Sequence, residues 1–370
     1  MHHGMLTVYK EAGYTSSDAV ARLRGILRMR KIGHTGTLDP DAEGVLPMCL
    51  GNATKICELI ADRDKEYLAV MRLGVRTDTQ DMSGTILTKM TEEEILAALR
   101  KTAADSGMPE IADSPEPSGE RLIQVIGEAA AAFTGQIEQI PPMYSAVKVN
   151  GKRLYDMARK GITVERKARR ITIHELEIEK TDFPYVTMRV RCSKGTYIRT
   201  LCEDIGNALG TGAAMQSLLR TRVGQFTLQE AKTLDELEKI AKTDPEKMQE
   251  LIRPVDSFFA GFPAAICSED ALRLLKNGNM LTSSQLRRLN REEDPQAAWI
   301  RESKDSSFGE PDHRSGDKSL CSEKLPELPC TDPGDTVIRV YDNDLRFYGL
   351  YRCAAGRNRY TAFKMFLPQD

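Results

Sequence analysis

Between Thr15 and Arg30, apolar residues recur at helical spacing at Val20, Leu23 and Leu27, and Thr15 or Ser16 offers a hydroxyl to cap the start. A helix is expected there, with Arg22, Arg24, Arg28, Arg30 and Lys31 along its other positions and its exit. A glycine-punctuated loop, Lys31–Gly44, and a short apolar segment, Val45–Leu50, follow. From Tyr67 to Leu73 apolar residues fall on both alternating faces, the pattern of a central strand buried on two sides. In Val186–Cys192, Val186, Met188, Val190 and Cys192 point one way, while Thr187, Arg189 and Arg191 point the other. After Ser193-Lys194-Gly195-Thr196, one helical face holds Ile198, Leu201, Cys202, Ile205 and Leu209, and Gly210 sits at the C-cap. Strands and helices alternate irregularly without a repeat, so residues 1–255 are expected to form an α+β domain.

Beyond Pro254 the texture changes. Ala271–Leu275 is a short amphipathic helix ending at Asn277-Gly278, and Thr336–Leu350 reads as a hairpin turning on Asp342-Asn343-Asp344. A chain of 370 residues is long for one domain, and residues 256–370 fit a second, smaller, β-rich one. Two Pro/Ser/Asp/Glu-rich stretches, 103–120 and 301–334, show little apolar periodicity and are expected to be mobile insertions.

Hydrophobic residues at 41% and charged residues at 29% exclude a collagenous or wholly disordered chain. No window approaches the ~18 apolar residues of a membrane span, and Met1–Leu6 lacks the charged and apolar regions of a secretion signal. Eight cysteines, with no C-x-x-C pair and no metal-ligand spacing to the five histidines, read as reduced thiols of a cytoplasmic protein. The net charge of −2 argues at first against a nucleic-acid partner. Its distribution reverses that. Residues 141–230 hold 16 Lys and Arg against 9 Asp and Glu, whereas 91–123 hold 3 against 8 and 291–335 hold 6 against 12. Without the acidic stretches the body is basic, as a phosphate-backbone partner requires.

Asp39 stands out chemically. Pro40 pushes it into an extended conformation, and Gly33, Gly36 and Gly44 permit close approach of a backbone or ligand. A fixed carboxylate beside a basic helix suits catalysis, and an Asx turn is the structural alternative. The Asp39-Pro40-Asp41 pair only superficially matches the aspartates of a Mg²⁺ phosphotransferase, which end a hydrophobic strand; here Gly-His-Thr-Gly precedes.

Four blocks in order closely resemble the TruB-type tRNA pseudouridine-55 synthases. The first is Lys31-Ile32-Gly33-His34-Thr35-Gly36-Thr37-Leu38-Asp39-Pro40 with Gly44, Leu46-Pro47 and Gly51–Lys55. The second is Asp64-Lys65-Glu66-Tyr67 with Leu73–Thr79, the third Pro141–Lys148 with Gly151, Tyr155 and Ala158-Arg159, and the fourth Ser193–Thr200. The match spans residues 5–255, and the tail more loosely resembles a PUA-like RNA-binding domain. The resemblance implies a mixed or antiparallel sheet and an isomerase that turns uridine 55 in the tRNA T-loop into pseudouridine after flipping the base.

On that resemblance Asp39 is the catalytic aspartate, as nucleophile or as base on a sugar proton; a carboxylate serves either way. Tyr67 stacks on the base and takes part in the final proton loss at C5. Arg199 pairs with Asp39 and keeps it ionised. Tyr197 and Leu218 line the base pocket, and His34 contacts the RNA where the base leaves its stack. The implied partner is tRNA at its T-stem-loop, bound by a monomer with no guide RNA, membrane, metal or redox cofactor. A non-catalytic RNA-folding chaperone is the competing reading, and an intact Asp39, Tyr67 and Arg199 favours the enzyme.

Overall fold

The computed structural model describes residues 2–114, 117–145, 147–149, 151–162, 164–296, 336–354 and 356–367. A nine-stranded mixed sheet forms the frame of the larger unit. Its main path runs Gly4–Lys10, Glu43–Leu50, Ala213–Val223, Lys65–Leu73, Tyr185–Cys192, Arg169–Asp182, Gly135–Gln139, with Ile32–His34 and Phe226–Thr227 as side pairings. Neighbours are antiparallel, except that Ala213–Val223 runs parallel to Glu43–Leu50 at Leu219↔Glu43 and Arg220↔Gly44. The expected α+β class with a mixed sheet stands.

The alternation of Val186–Cys192 predicts its own burial correctly. Val186, Met188, Val190 and Cys192 are buried, with Val190 opposite Tyr67 on the neighbouring strand. The Tyr67–Leu73 expectation holds for position and fails for one face. The strand is central, and Tyr67, Ala69, Met71 and Leu73 are buried, but Leu68, Val70 and Arg72 are only half-buried. Helices Glu92–Asp105, Gly119–Ala131 and Ile198–Ala208 cover the first face through Ile95, Leu99, Val125, Ile126, Leu201 and Ile205. On the other face Glu66 bonds Arg189 at 3.2 Å, and Glu179 bonds Arg189 at 2.6 Å.

Helix Ser16–Ile26 begins where expected. Thr15 and Asp18 form a reciprocal capping box, satisfying two backbone donors that helix geometry leaves unpaired. It stops four residues early, because Arg28 takes φ +49°, outside the right-handed helical region. The 103–120 expectation needs a larger correction. Among the described residues of this stretch, helix Glu92–Asp105 runs into it, Pro109–Ala112 forms a helical turn, and Ser118 caps helix Gly119–Ala131. Ile95, Leu99 and Ala103 make a buried stripe that Ile111 extends; average composition hid a helical face that is apolar at every fourth position. The other expected insertion, 301–334, lies outside the described residues.

Residues 264–365 carry a six-stranded sheet in the order Leu281–Thr282, Arg359–Met365, Phe347–Cys353, Thr336–Tyr341, Ala264–Cys267, Leu286–Arg288. This is the expected small β-rich, PUA-like tail, including its hairpin, whose turn places Leu345 at φ +57°. Phe258, Phe259, Phe262 and Phe366 pack with Met5, Val45, Cys49 and Ile56 of the larger unit. Asn52 Nδ2 donates to Leu367 O at 2.6 Å and Lys55 Nζ to Met365 O at 2.7 Å. The six described cysteines are free thiols; Cys321 and Cys330 lie outside the described residues. Among the described residues no helix is long and apolar enough to cross a membrane.

Candidate active site

Asp39 sits on the loop between strands Ile32–His34 and Glu43–Leu50, and three buried side chains from three elements hold that loop. Ser16, at the start of its helix, accepts from Leu38 N at 2.9 Å and donates to Leu38 O at 3.3 Å. Lys10, fully buried at the end of the first strand, donates to Pro40 O at 2.9 Å and Ala42 O at 2.6 Å. Arg220, 1% exposed, donates through Nε to Val45 O at 2.7 Å and through Nη2 to Gly36 O at 3.5 Å. Residues 36, 38, 40, 42 and 45 are thus pinned by cations and a hydroxyl, each donating to main-chain oxygens that would otherwise be costly to bury.

Arg199 comes to Asp39 from the first turn of helix Ile198–Ala208. Its Nε lies 3.1 Å from Asp39 Oδ2, with the arginine 7% and the aspartate 43% exposed. The same guanidinium reaches Asp81 Oδ2 at 3.4 Å, Thr79 O at 3.1 Å and Tyr144 O at 2.9 Å. A cation at a helix start opposes the helix dipole; here two carboxylates and two carbonyls compensate. Asp81 is itself fixed by Thr79 Oγ1 at 2.7 Å and by Ser83 N at 3.0 Å.

Two opposing influences act on the Asp39 carboxyl. Burial pushes its carboxyl above the usual range; Arg199 pulls it down without overriding burial, and Asp81 adds to the rise. Arg199 is therefore an orienting partner more than a source of acidity. Two negative groups on one cation divide its benefit.

Tyr67 is buried on the central strand, directly opposite Arg220 and in the same apolar cluster as Leu38 and Leu218. Burial pushes its phenol up, and the positive charge of Arg220 acts against that rise. Leu218 is 9% exposed and opposite Ala69, so it belongs to this wall. Tyr197 caps the Arg199 helix, half-buried; its N–H donates to Gln139 Oε1 at 2.8 Å and its carbonyl accepts from Gln139 Nε2 at 3.0 Å. His34 ends its strand half-buried, with Nδ1 accepting from Gly36 N at 3.4 Å; burial first, and then Arg220, push its pKa down, favouring the neutral ring.

Asp39, Arg199, Tyr67 and Leu218 are thus brought into one neighbourhood, with Tyr197 beside it and His34 at the foot of the loop. Sequence reasoning passed over Lys10, Asp81, Gln139 and Arg220. Arg220 had a usable signal: it is a charged residue at a position of Ala213–Val223 that shares a face with Leu218. Asp81 lies two residues beyond the second matched block and carried none.

The described N-terminal domain of the TruB family of pseudouridylate synthases matches residues 24–115 and 110–198, and the tRNA pseudouridylate synthase B C-terminal domain matches 199–260. The chain is 40% identical over 373 residues to a tRNA pseudouridine synthase B of Lachnoclostridium phytofermentans, covering 99% of this chain and 100% of that one. It is 42% identical to one of Clostridium tetani, covering 77% and 87%. Among solved structures, a chain of a Cbf5–Nop10–Gar1 complex aligns with a TM-score of 0.60 at 22% identity, covering 99% of this chain and 85% of that one, a likeness of fold. The chain belongs to the TruB family of pseudouridylate synthases.

Proposed function

We propose that this protein is a tRNA pseudouridine synthase that isomerises uridine 55 of the T-loop, with Asp39 as its catalytic residue. The observation that carries this is the 3.1 Å contact of Arg199 with Asp39, beside Tyr67, in a chain 40% identical over nearly its whole length to a tRNA pseudouridine synthase B. The reaction breaks C1′–N1, rotates the base, joins C1′ to C5, then moves the C5 proton away while N1 gains one. Atoms and electrons balance within the substrate, so the chain need only bind, orient and move protons.

The target base must leave its stack, since both C1′ and C5 are shielded in a folded T-loop. Extrusion costs a few kcal/mol, offset by stacking and phosphate contacts. Tyr67 and Leu218 offer the apolar wall, Tyr197 the rim, and His34 a neutral ring where the RNA would enter. Asp39, oriented by Arg199, either attacks C1′ or takes a sugar proton; both need the carboxylate. The basic 141–230 segment fits the phosphate backbone of the T-stem-loop. We infer a monomer working without guide RNA in the cytoplasm.

Tritium release from tRNA labelled at uridine C5 tests the assignment. Asp39→Asn keeps the size of the side chain and removes its charge. Single-turnover release should fall by more than the ~10²–10⁴ of lost acid–base help alone, with tRNA affinity retained at a fixed salt concentration. Near-wild-type release from Asp39→Asn would overturn the catalytic role. No release from either protein, with intact tRNA binding, would favour the chaperone.

A further inference from the structure

Asp81 reaches Arg199 from the turn between strands Val75–Thr77 and Ile86–Lys89. The residue before it, Gln80, takes φ +65°. A residue with a Cβ holds that left-handed conformation only where its surroundings over-determine it. Gln80 is bonded on two sides. Its carbonyl accepts from Met215 N at 2.9 Å, Met82 N donates to Met215 O at 3.1 Å, and Asp81 makes a parallel bridge to Met215, so the backbone lies along strand Ala213–Val223. Its carboxamide faces helix Ile198–Ala208. There Oε1 accepts from Thr200 Oγ1 at 2.8 Å, and Nε2 donates to Glu203 Oε2. Arg199, next to Thr200, donates through Nη1 to Thr79 O at 3.1 Å and lies 3.4 Å from Asp81 Oδ2. Residues 79, 80 and 81 thus grip the helix at 199, 200 and 203.

A carboxamide suits both helix partners, because one end accepts from a hydroxyl while the other donates to a carboxylate. Glutamate at the same length would set a second negative charge against Glu203. We propose that Gln80 is a positioning residue for the reaction: its carboxamide fastens the 79–81 segment to the helix that carries Arg199, and so holds the Asp81 carboxylate on the guanidinium that orients Asp39. This rests on the reading of Asp39 as the catalytic residue. Glycine isolates the side chain's part, since it adopts the left-handed backbone freely and keeps the bond to Met215 while removing only the carboxamide. Besides Arg199 and Asp81, the charges acting on Asp39 are Lys10 and Asp41, which belong to the first strand and to the Asp39 loop. An effect of Gln80 on Asp39 therefore passes through Asp81 and Arg199.

The test is a double-mutant cycle of wild type, Gln80→Gly, Asp81→Asn and the double variant, read by single-turnover pseudouridine formation across pH, by tRNA affinity at one salt concentration and by melting temperature. Gln80→Gly should slow the plateau rate roughly fivefold, the effect of one ordinary hydrogen bond on a barrier. Its acid limb should move to lower pH, as in Asp81→Asn, because a released Asp81 no longer raises the Asp39 carboxyl. In the Asp81→Asn background the glycine should change the rate by less than about twofold and leave the limb in place. Affinity for tRNA should stay within about twofold throughout. Thr200→Val removes the same bond from the helix side and should slow the plateau as Gln80→Gly does. A lower melting temperature in Gln80→Gly with an unmoved acid limb would make the glutamine merely structural and overturn the proposal, as would losses that multiply fully in the double variant. An unchanged rate and limb in Gln80→Gly, beside an inactive Asp39→Asn, would overturn this proposal and leave the site reading standing. Near-wild-type turnover of Asp39→Asn would overturn both.

Discussion

In the role proposed for it Asp39 acts as a carboxylate, and burial pushes it toward its neutral form. The sign follows directly. A carboxyl whose folded pKa is raised loses its active form earlier as pH falls, so the acid limb of single-turnover kcat/KM should lie above the ordinary 3.8. Asp81→Asn removes a negative neighbour and should move that limb to lower pH; a limb that stays put would show that Asp81 does not share Arg199 with Asp39. The same shift has a stability consequence. Ionised Asp39 weakens the folded state above its unfolded pKa, so Asp39→Asn should melt no lower than wild type at pH 7. Its advantage should shrink as pH falls below the carboxylate range, because the wild-type residue is then protonated too. A lower melting temperature for Asp39→Asn at pH 7 would contradict the burial argument.

At the scale of elements, the site depends on a parallel strand pair inside an otherwise antiparallel sheet. Gly44 lies opposite Arg220 at φ +107°, and a Cβ there would come within 2.2 Å of the Arg220 carbonyl oxygen. Both the conformation and the space demand glycine. Gly44→Ala should destabilise the fold by about 2–4 kcal/mol, from backbone strain and overpacking together, and should displace Arg220 and the Asp39 loop. Urea denaturation measures it, and a loss below about 0.5 kcal/mol, the scatter of neutral surface changes, would refute the close approach. Helix Ile198–Ala208 is anchored differently. Its cap residue Tyr197 has no side-chain cap and relies on both ends of the Gln139 carboxamide. That bond ties the edge strand to the turn that carries Arg199.

For the whole molecule, the two units share the phenylalanine cluster of Phe258, Phe259, Phe262 and Phe366. Cutting the chain after Pro254 would therefore uncover apolar surface of the larger unit, and loss of tRNA binding in such a truncation would mix folding with recognition. Charge reversal is cleaner. Arg357, Asn358 and Arg359 line a depression with Thr282, Ser283 and Ser284 on the smaller sheet, a set of cations and hydroxyls suited to phosphate oxygens. Arg357→Glu combined with Arg359→Glu should weaken tRNA binding and flatten its salt dependence, with little change in turnover of bound tRNA. Unaltered affinity across a salt series would remove this face from the tRNA path.

The sequence by itself determined the periodic elements and the chemistry-bearing blocks. Alternation placed Val186–Cys192, helical spacing placed Ile198–Leu209, and the Gly-His-Thr-Gly-Thr-Leu-Asp-Pro loop singled out Asp39, because these signals are local and follow from backbone geometry. The helix stripe through 92–105 was equally local, yet the acidic composition of its surroundings masked it. Only the tertiary structure decided which distant groups meet. Asp81 reaches Arg199 across 118 positions of chain, Gln139 holds Tyr197, and Arg220 threads between Tyr67 and the Asp39 loop. Each depends on strand order and register, which set one residue opposite another and which no periodicity encodes. The pKa of Asp39 was decided the same way: a neighbouring arginine can be inferred from a motif, but the depth of burial that outweighs it exists only once the sheet and its helices have closed.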